Sequence, residues 1–230
     1  IIIRGEIYLK YSNTIELEIR GERALFADPR SRESLPVPSC EVLKGILCSV
    51  YWNPVFLWVP DSLRVMESIN WISEGLTRSD GERQHVYTRE CLVNVRYQLR
   101  AHFIWNEQRP DLAEDRNEDK HFRIALRSLA RGGRRNVYLG RSDFAGTVRS
   151  VHFGSGTGFY DDSETDLGTM YHSREYPAGQ PRYFRCMMNG GIIDLRPPEY
   201  CPAPLNHRTR SEPNAAAETP HRPGASDISR

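Results

Sequence analysis

In DRNEDKHFRIALRSLARGGRRNVYLG, residues 115–140, a lysine and a histidine stand side by side where a helical pattern begins. Phe122, Ala125, Leu126, Leu129 and Ala130 recur at the spacing of one helix face, which predicts a helix over residues 120–131 with that face inward. Lys120, Arg127 and Arg131 then share the opposite side, Arg123 lies between the two, and His121 sits on the flank of the first turn. Gly132-Gly133 stops the helix, and Arg134 and Arg135 prolong its positive charge. The first turn also offers unpaired N–H groups and the positive end of the helix dipole, a ready place for phosphate. Asp115, Glu118 and Asp119 dilute that charge but suit a helix N-terminus.

These residue types fit metal-independent RNA cleavage, in which a ribose 2′-hydroxyl attacks the adjacent phosphorus and expels the 5′-oxygen. The reaction needs a proton acceptor, a proton donor and a cation for the charge that develops on phosphate. His121 serves the first two near neutral pH and Lys120 the third. The plain alternative is a solvated helix end on which the same residues do nothing.

A chain of 230 residues is long enough for one main core with an appendage. No apolar run approaches the roughly 18 residues that cross a bilayer, and the opening IIIRGEIYLK is charged too early for a signal peptide. No membrane is therefore expected. The five cysteines are scattered, without a C-x-x-C pair, so neither a disulfide framework nor a zinc site is indicated and a reducing cytoplasm is the natural setting. No histidine spacing marks a metal site, and no cofactor is expected. Of 31 basic residues only Lys10, Lys44 and Lys120 are lysines. That skew has two readings, arginine codons in a GC-rich genome or recognition of phosphate by planar guanidinium groups. With a net charge of +1, any nucleic-acid surface must be a local stripe.

The elements that must position these residues are visible in part. IELEIRG alternates as a half-buried strand does. Ser39 caps a helix whose apolar positions are Val42, Leu43, Ile46, Leu47 and Val50, and Pro54 helps to end it. VFLWV and LRVMESINWI read as two strands broken at Pro60-Asp61, and Ser73 to Thr88 as a loop or flexible hairpin. VNVRYQLRAHF is the clearest strand. One face is apolar, and the other carries Asn94, Arg96, Gln98, Arg100 and His102 as a solvated surface. The GSGTG run lacks a following Lys-Ser/Thr and reads as a turn or packing loop, and Asn189-Gly190-Gly191 as a hairpin turn. The order of elements predicts an α+β fold with a split βαβ, ferredoxin-like (RRM-like) core over residues 1–141 and a small antiparallel β domain over 142–201. A polar tail over 202–230 reads as disordered.

The stretches GERALFADP, LKGILCSVYWNP, HFIWNEQRPDLAEDRNEDKHFRIALRSLARGGRRNVYLG and FGSGTGFYDD, with DLGTMYHSREYP after them, closely resemble the family-five Cas proteins of subtype I-C (Dvulg) CRISPR systems. The resemblance runs from about Ile15 to Cys201. It implies membership of the RAMP superfamily, a ferredoxin-like core with a small C-terminal β domain, and metal-independent cutting of the CRISPR repeat transcript. It further implies retention of mature crRNA by its 5′ handle within the Cascade complex, beside the backbone and large subunits. By the same resemblance the catalytic set falls on Tyr51, Lys120 and His121, while the charge along and just beyond the helix makes Arg123, Arg127, Arg131, Arg134 and Arg135 the expected RNA contacts. Two positions depart from the pattern: Asn53 stands where the family usually has lysine, and Leu35 where it usually has tyrosine. Two other functions stay open, a non-catalytic subunit that caps the handle and a protein-interaction scaffold.

Overall fold

A computed structural model describes residues 11–29, 34–80, 83–174 and 179–196. Strand β1 (Ile15–Ala24) is followed by a two-stranded ladder, β2 (Phe26–Ala27) with β3 (Ser34–Leu35), and by helix α1 (Cys40–Val50). Then come β4 (Phe56–Val65), β5 (Asn70–Asp80) and the 23-residue β6 (Arg83–Trp105). A 3-10 turn at Pro110–Asp115 leads into helix α2 (Glu118–Leu129). The remaining strands are β7 (Val137–Tyr138), β8 (Ala145–Ser150), β9 (Glu164–Arg174), β10 (Pro181–Asn189) and β11 (Ile192–Asp194).

Among the described residues one nine-stranded sheet runs β7-β8-β1-β6-β4-β11-β10-β9, with β5 paired to the outer half of β6. Its centre is β8-β1-β6-β4, each neighbour antiparallel, and the two helices make the crossovers, α1 from β1 to β4 and α2 from β6 to β8. Ile15, Leu17 and Ile19 of β1 and Val95, Tyr97, Leu99, Ala101 and Phe103 of β6 are buried, as strand alternation demands. Against them α1 buries Cys40, Leu43, Ile46, Leu47 and Val50. The same core continues through Met170, Phe184, Cys186, Met188 and Ile193 of the C-terminal strands. The position expected for a domain boundary, residue 142, lies between β7 and β8; β8 joins β1, while β11 joins β4. No helix among the described residues is long and apolar enough to cross a membrane, and the tail from residue 202 lies outside them.

Two expectations change and one is narrowed. Pro60-Asp61 does not break a strand: β4 runs through it, with the register irregular between Pro60 and Ser62. A bulge tolerates proline because its residue need not donate to the ladder. Of the two readings of residues 73–88, the hairpin is the one found: the pairing runs from Asn70↔Val93 to Asp80↔Arg83, and Trp71, Ile72 and Val86 on it are exposed. The polar side of β6 is not simply solvated, since Gln98 and His102 are buried together with Glu18, Asp61, Ser62 and Arg64. The loop after β8 covers Gln98 and Arg64. Gly154 N–H donates to the Gln98 side chain, Arg64 donates to the carbonyls of Ser155 and Gly156, and the Arg64–Asp161 ion pair closes the turn.

Candidate active site

The two crossover helices bring the site together, α1 by its end and α2 by its beginning. Tyr51 is the residue at which α1 stops. Its backbone turns extended, its N–H still donates to the Leu47 carbonyl at 3.0 Å, and its own carbonyl accepts from Trp58 Nε1 at 2.7 Å. Asn117 caps α2, its side-chain oxygen accepting from Lys120 N–H at 2.9 Å and its carbonyl from His121 N–H at 3.1 Å. That cap takes one of the amides expected to await phosphate.

The far end of α2 is tied to the end of α1 as well. Gly132 and Gly133 have φ of +80° and +98°, values a side chain resists, and a Cβ on Gly133 would press within 3.2 Å of the Ser49 carbonyl. The turn lets the Arg134 and Arg135 amides donate to that carbonyl at 2.9 and 3.0 Å. Arg134 then lies with its guanidinium 4.6 Å from the centre of the Tyr51 ring, its Nε donating to Ser128 Oγ.

At the centre, Tyr51 Oη is 2.8 Å from His121 Nδ1, and His121 Nε2 is 2.9 Å from the Asp115 carbonyl oxygen. A carbonyl only accepts, so Nε2 carries a proton. In the neutral ring that leaves Nδ1 bare, and Tyr51 Oη donates to it. His121 is 0% exposed and Tyr51 4%. The rings of Phe56 and Trp105 meet the imidazole edge-on, with centroids 5.5 and 6.2 Å away. Asp115 turns its carboxylate to both basic residues: it pairs with Lys120 Nζ, and its other oxygen lies 3.5 Å from His121 Nε2. Burial pushes the Tyr51 phenol above its ordinary range; Asn53, Arg134 and Lys120 pull the other way without prevailing. The hydrogen bond from Lys120 holds the Asp115 carboxyl low, and Asp115 raises Lys120 in return.

Tyr51, Lys120 and His121 are thus brought together, but not as the helical wheel expected. His121 is on the buried face of α2 with Ala125, Ser128 and Leu129, while Leu126 and Ala130 are not part of that face: Leu126 is exposed at 40%. The face is rotated because two polar residues on it are satisfied internally, Ser128 by the Ile124 carbonyl and His121 by Tyr51 and Asp115. Lys120 does not lower the phenol into the neutral range. The arginines divide. Arg127, Arg131 and Arg135 have no ion-pair partner among the described residues, Arg123 is paired with Asp119, and Arg134 belongs to the centre. Asp115 does not serve the helix terminus as its place in the sequence suggests. The cap is Asn117, while Asp115 braces the Lys-His pair; the neighbouring Glu118 meets Ser12. The placement of Asp115 ahead of the helix, five and six residues before Lys120 and His121, is the available signal. Asn53 stands out in the sequence only as a departure from the family pattern, yet its side chain, which accepts from Val55 N–H, acts to lower both the Tyr51 phenol and the Asp115 carboxyl.

A family model described as "CRISPR-associated protein (Cas_Cas5)", of the Cas5d type, matches residues 14–196, a span that includes every residue of this centre. The chain belongs to the Cas5d family. A curated relative from Mannheimia succiniciproducens, named "CRISPR pre-crRNA endoribonuclease Cas5d", is 26% identical, the match covering 81% of this chain and 96% of that protein. Among solved structures, a functionally uncharacterized protein from Streptococcus mutans is 33% identical with a TM-score of 0.68, and one described as a CRISPR-associated protein is 32% identical with a TM-score of 0.69. Each match covers 80% of this chain and 92% of the other. The mixed fold, a curled antiparallel sheet with few helices, is therefore one that these relatives share.

Proposed function

We propose that this chain is a metal-independent endoribonuclease that cuts CRISPR repeat transcripts and then holds mature crRNA by its 5′ handle as a Cascade subunit, against the backbone and large subunits, in the cytoplasm. One observation carries the reading: a tyrosine hydroxyl directed at a bare imidazole nitrogen whose other nitrogen is fixed by a carbonyl, with two cations beside it. The name of the Mannheimia relative supports the substrate class. The strand order β8-β1-β6-β4 with two helical crossovers supports a ferredoxin-like core, and a division into residues 1–141, 142–201 and a tail over 202–230 is part of the same reading.

The chemistry follows from the pair. Tyr51 is not a standing phenolate, so it acts as a relay: it accepts the 2′-hydroxyl proton as its own passes to His121 Nδ1. The 2′-oxygen forms its bond to phosphorus, and the 5′-oxygen leaves with the proton returned through Tyr51. The imidazolium formed in between is held by the Asp115 carbonyl and carboxylate, and Lys120 and Arg134 face the charge on phosphate. The products are a 2′,3′-cyclic phosphate and a 5′-hydroxyl.

The burial of Tyr51 and His121 supports a second reading, in which the pair only locks α1 to α2 in a subunit that binds the handle without cutting. The purified chain with its own repeat RNA in excess EDTA decides between them. Undiminished cleavage is expected, with complete resistance of a repeat carrying one 2′-deoxy substitution at the scissile nucleotide. Intact RNA, cutting of the substituted RNA, or activity only with added Mg²⁺ or Mn²⁺ overturns the mechanism.

A further inference from the structure

The open face of the sheet carries a second charged assembly that the proton relay does not use. Glu18 of β1 has a side chain that is 0% exposed, and three arginines from three adjacent strands converge on it: Arg20 of β1, Arg96 of β6 and Arg149 of β8. Arg20 and Arg149 take Oε1, the latter at 2.7 Å, and Arg96 takes Oε2 at 2.9 Å. All three bonds leave from Nε. The Nη groups of Arg20 and Arg149 therefore have no partner among the described residues, and Arg96 uses one of its own for a 3.5 Å contact with exposed Glu67. Burial pushes the Glu18 carboxyl up, but the hydrogen bonds from Arg149, Arg20 and Arg96 outweigh it and hold it at about 2, so the anchor stays charged at any physiological pH.

Arg20 and Arg96 also form one wall of an open groove of about 780 Å³, whose lining includes Phe144 and Asn94 together with the acids Glu22, Glu67 and Asp143. Asn94 is the one non-glycine among the described residues with a positive φ, +53°, in the middle of the longest strand. Backbone held in that region marks places where the fold tolerates strain for a purpose.

We propose that Arg20, Arg96 and Arg149 clamp a backbone phosphate of single-stranded RNA on the open face of the sheet, on the opposite side from the Tyr51–His121 pair. The inference rests on the proposed RNA substrate but not on cleavage. Three guanidinium groups against one buried carboxylate leave two positive charges at the clamp, or one when Glu67 is counted. A guanidinium whose Nε is already fixed presents its Nη pair as a fork of the geometry that phosphate accepts, with less side-chain freedom to lose on binding. The site is built to grip an anion without reading a base.

The full chain and a repeat RNA made uncleavable by the 2′-deoxy substitution test it. In R20A/R149A, Arg96 still pairs with Glu18, and affinity is expected to fall by about ten-fold or more. The slope of log affinity against log salt becomes shallower by about 0.7 for each phosphate that is no longer neutralised. Unchanged affinity and salt slope overturn the proposal, whether or not the wild-type chain cuts. Unchanged RNA affinity with failure to bind another protein also overturns it, giving the face to a protein partner. If the double variant fails to fold, R149A alone, which leaves Glu18 two arginines, is expected to weaken affinity about three-fold with a shallower slope, and undiminished affinity overturns the site. A wild-type chain that binds through these arginines but never cuts removes the nuclease reading and leaves the clamp standing.

Discussion

The two faces of the central sheet bury polar groups in opposite ways. On the helix side, Tyr51 and His121 lie among Phe56 and Trp105, and a hydrogen bond joins the phenol to the imidazole. On the open side, Glu18 is equally hidden yet fully charged, ringed by three guanidinium groups. The first sets one carboxylate, that of Asp115, near the imidazole but pairs it with Lys120, and leaves the phenol facing the other ring nitrogen. The second locks every charge, and so can hold another anion but cannot transfer a proton near neutral pH. Burial alone predicts neither behaviour; the partners decide it.

The largest effect expected is on the helix side. His121→Ala removes the proton acceptor and is expected to cut the single-turnover cleavage rate by roughly 10²–10⁴ while affinity for uncleavable RNA stays within a few-fold. Near-normal cleavage would dissolve the contrast between the faces, since the helix side would then hold no chemistry. Tyr51→Phe keeps the ring under Arg134 and deletes only the hydroxyl. Cleavage is expected to fall by about 10²-fold, and thermal melting to show a loss of about 1 kcal/mol from the unpaired His121 nitrogen. A loss of stability with full activity would mark the pair as structural.

Glu18→Gln sharpens the comparison from the other side. A carboxyl held below its usual range contributes stability above the unfolded value near 4.5, and loses it as pH falls through the folded value of about 2. The variant is therefore expected to be less stable than wild type by about 3 kcal/mol at pH 7, the cost of uncompensated charge in a buried cluster. The gap should close steadily below pH 4.5 in urea unfolding. A gap independent of pH would mean that Glu18 is held by shape rather than by charge. Smallest are the effects at the arginines of α2 and the residues just after it that stand outside the centre. Alanine at Arg127, Arg131 and Arg135 together is expected to weaken RNA binding several-fold, equally for unrelated sequences, and to flatten the salt slope. An effect confined to one base position would make them readers instead of phosphate contacts.

The sequence was legible where one residue's fate depends on its near neighbours. Ile15, Leu17 and Ile19 and the stretch Val95, Tyr97, Leu99, Ala101 and Phe103 of β6 alternate because one face is buried; α1 announces itself through its cap and stripe, and α2 through its periodicity and its glycine stop, though not through its cap or its exact buried face. Lys120 and His121 stand out as a pair at the start of a helical pattern, and Tyr51 only through a family pattern; nothing local to Tyr51 says that a histidine 70 residues later will take its hydroxyl. The open face was misread for the same reason. Arg96, Gln98 and His102 look like solvated residues until Glu18, Ser155 and Asp61 arrive from other strands and the covering loop. Periodicity reports whether a face is polar, and stays silent on whether its polar groups pair with one another or with water.

The clasp between Ser49 and the residues beyond Gly133 carries a consequence for the order in which this molecule is made. Tyr51 leaves the ribosome long before Arg134, and until the later segment has emerged the Ser49 carbonyl lacks the two amides that fasten the helices together. A contact between residues so far apart in sequence forms only after the entropy of closing the intervening chain has been met. A nascent chain truncated before Gly132 therefore has the tyrosine and the histidine but not the clasp that sets them in register.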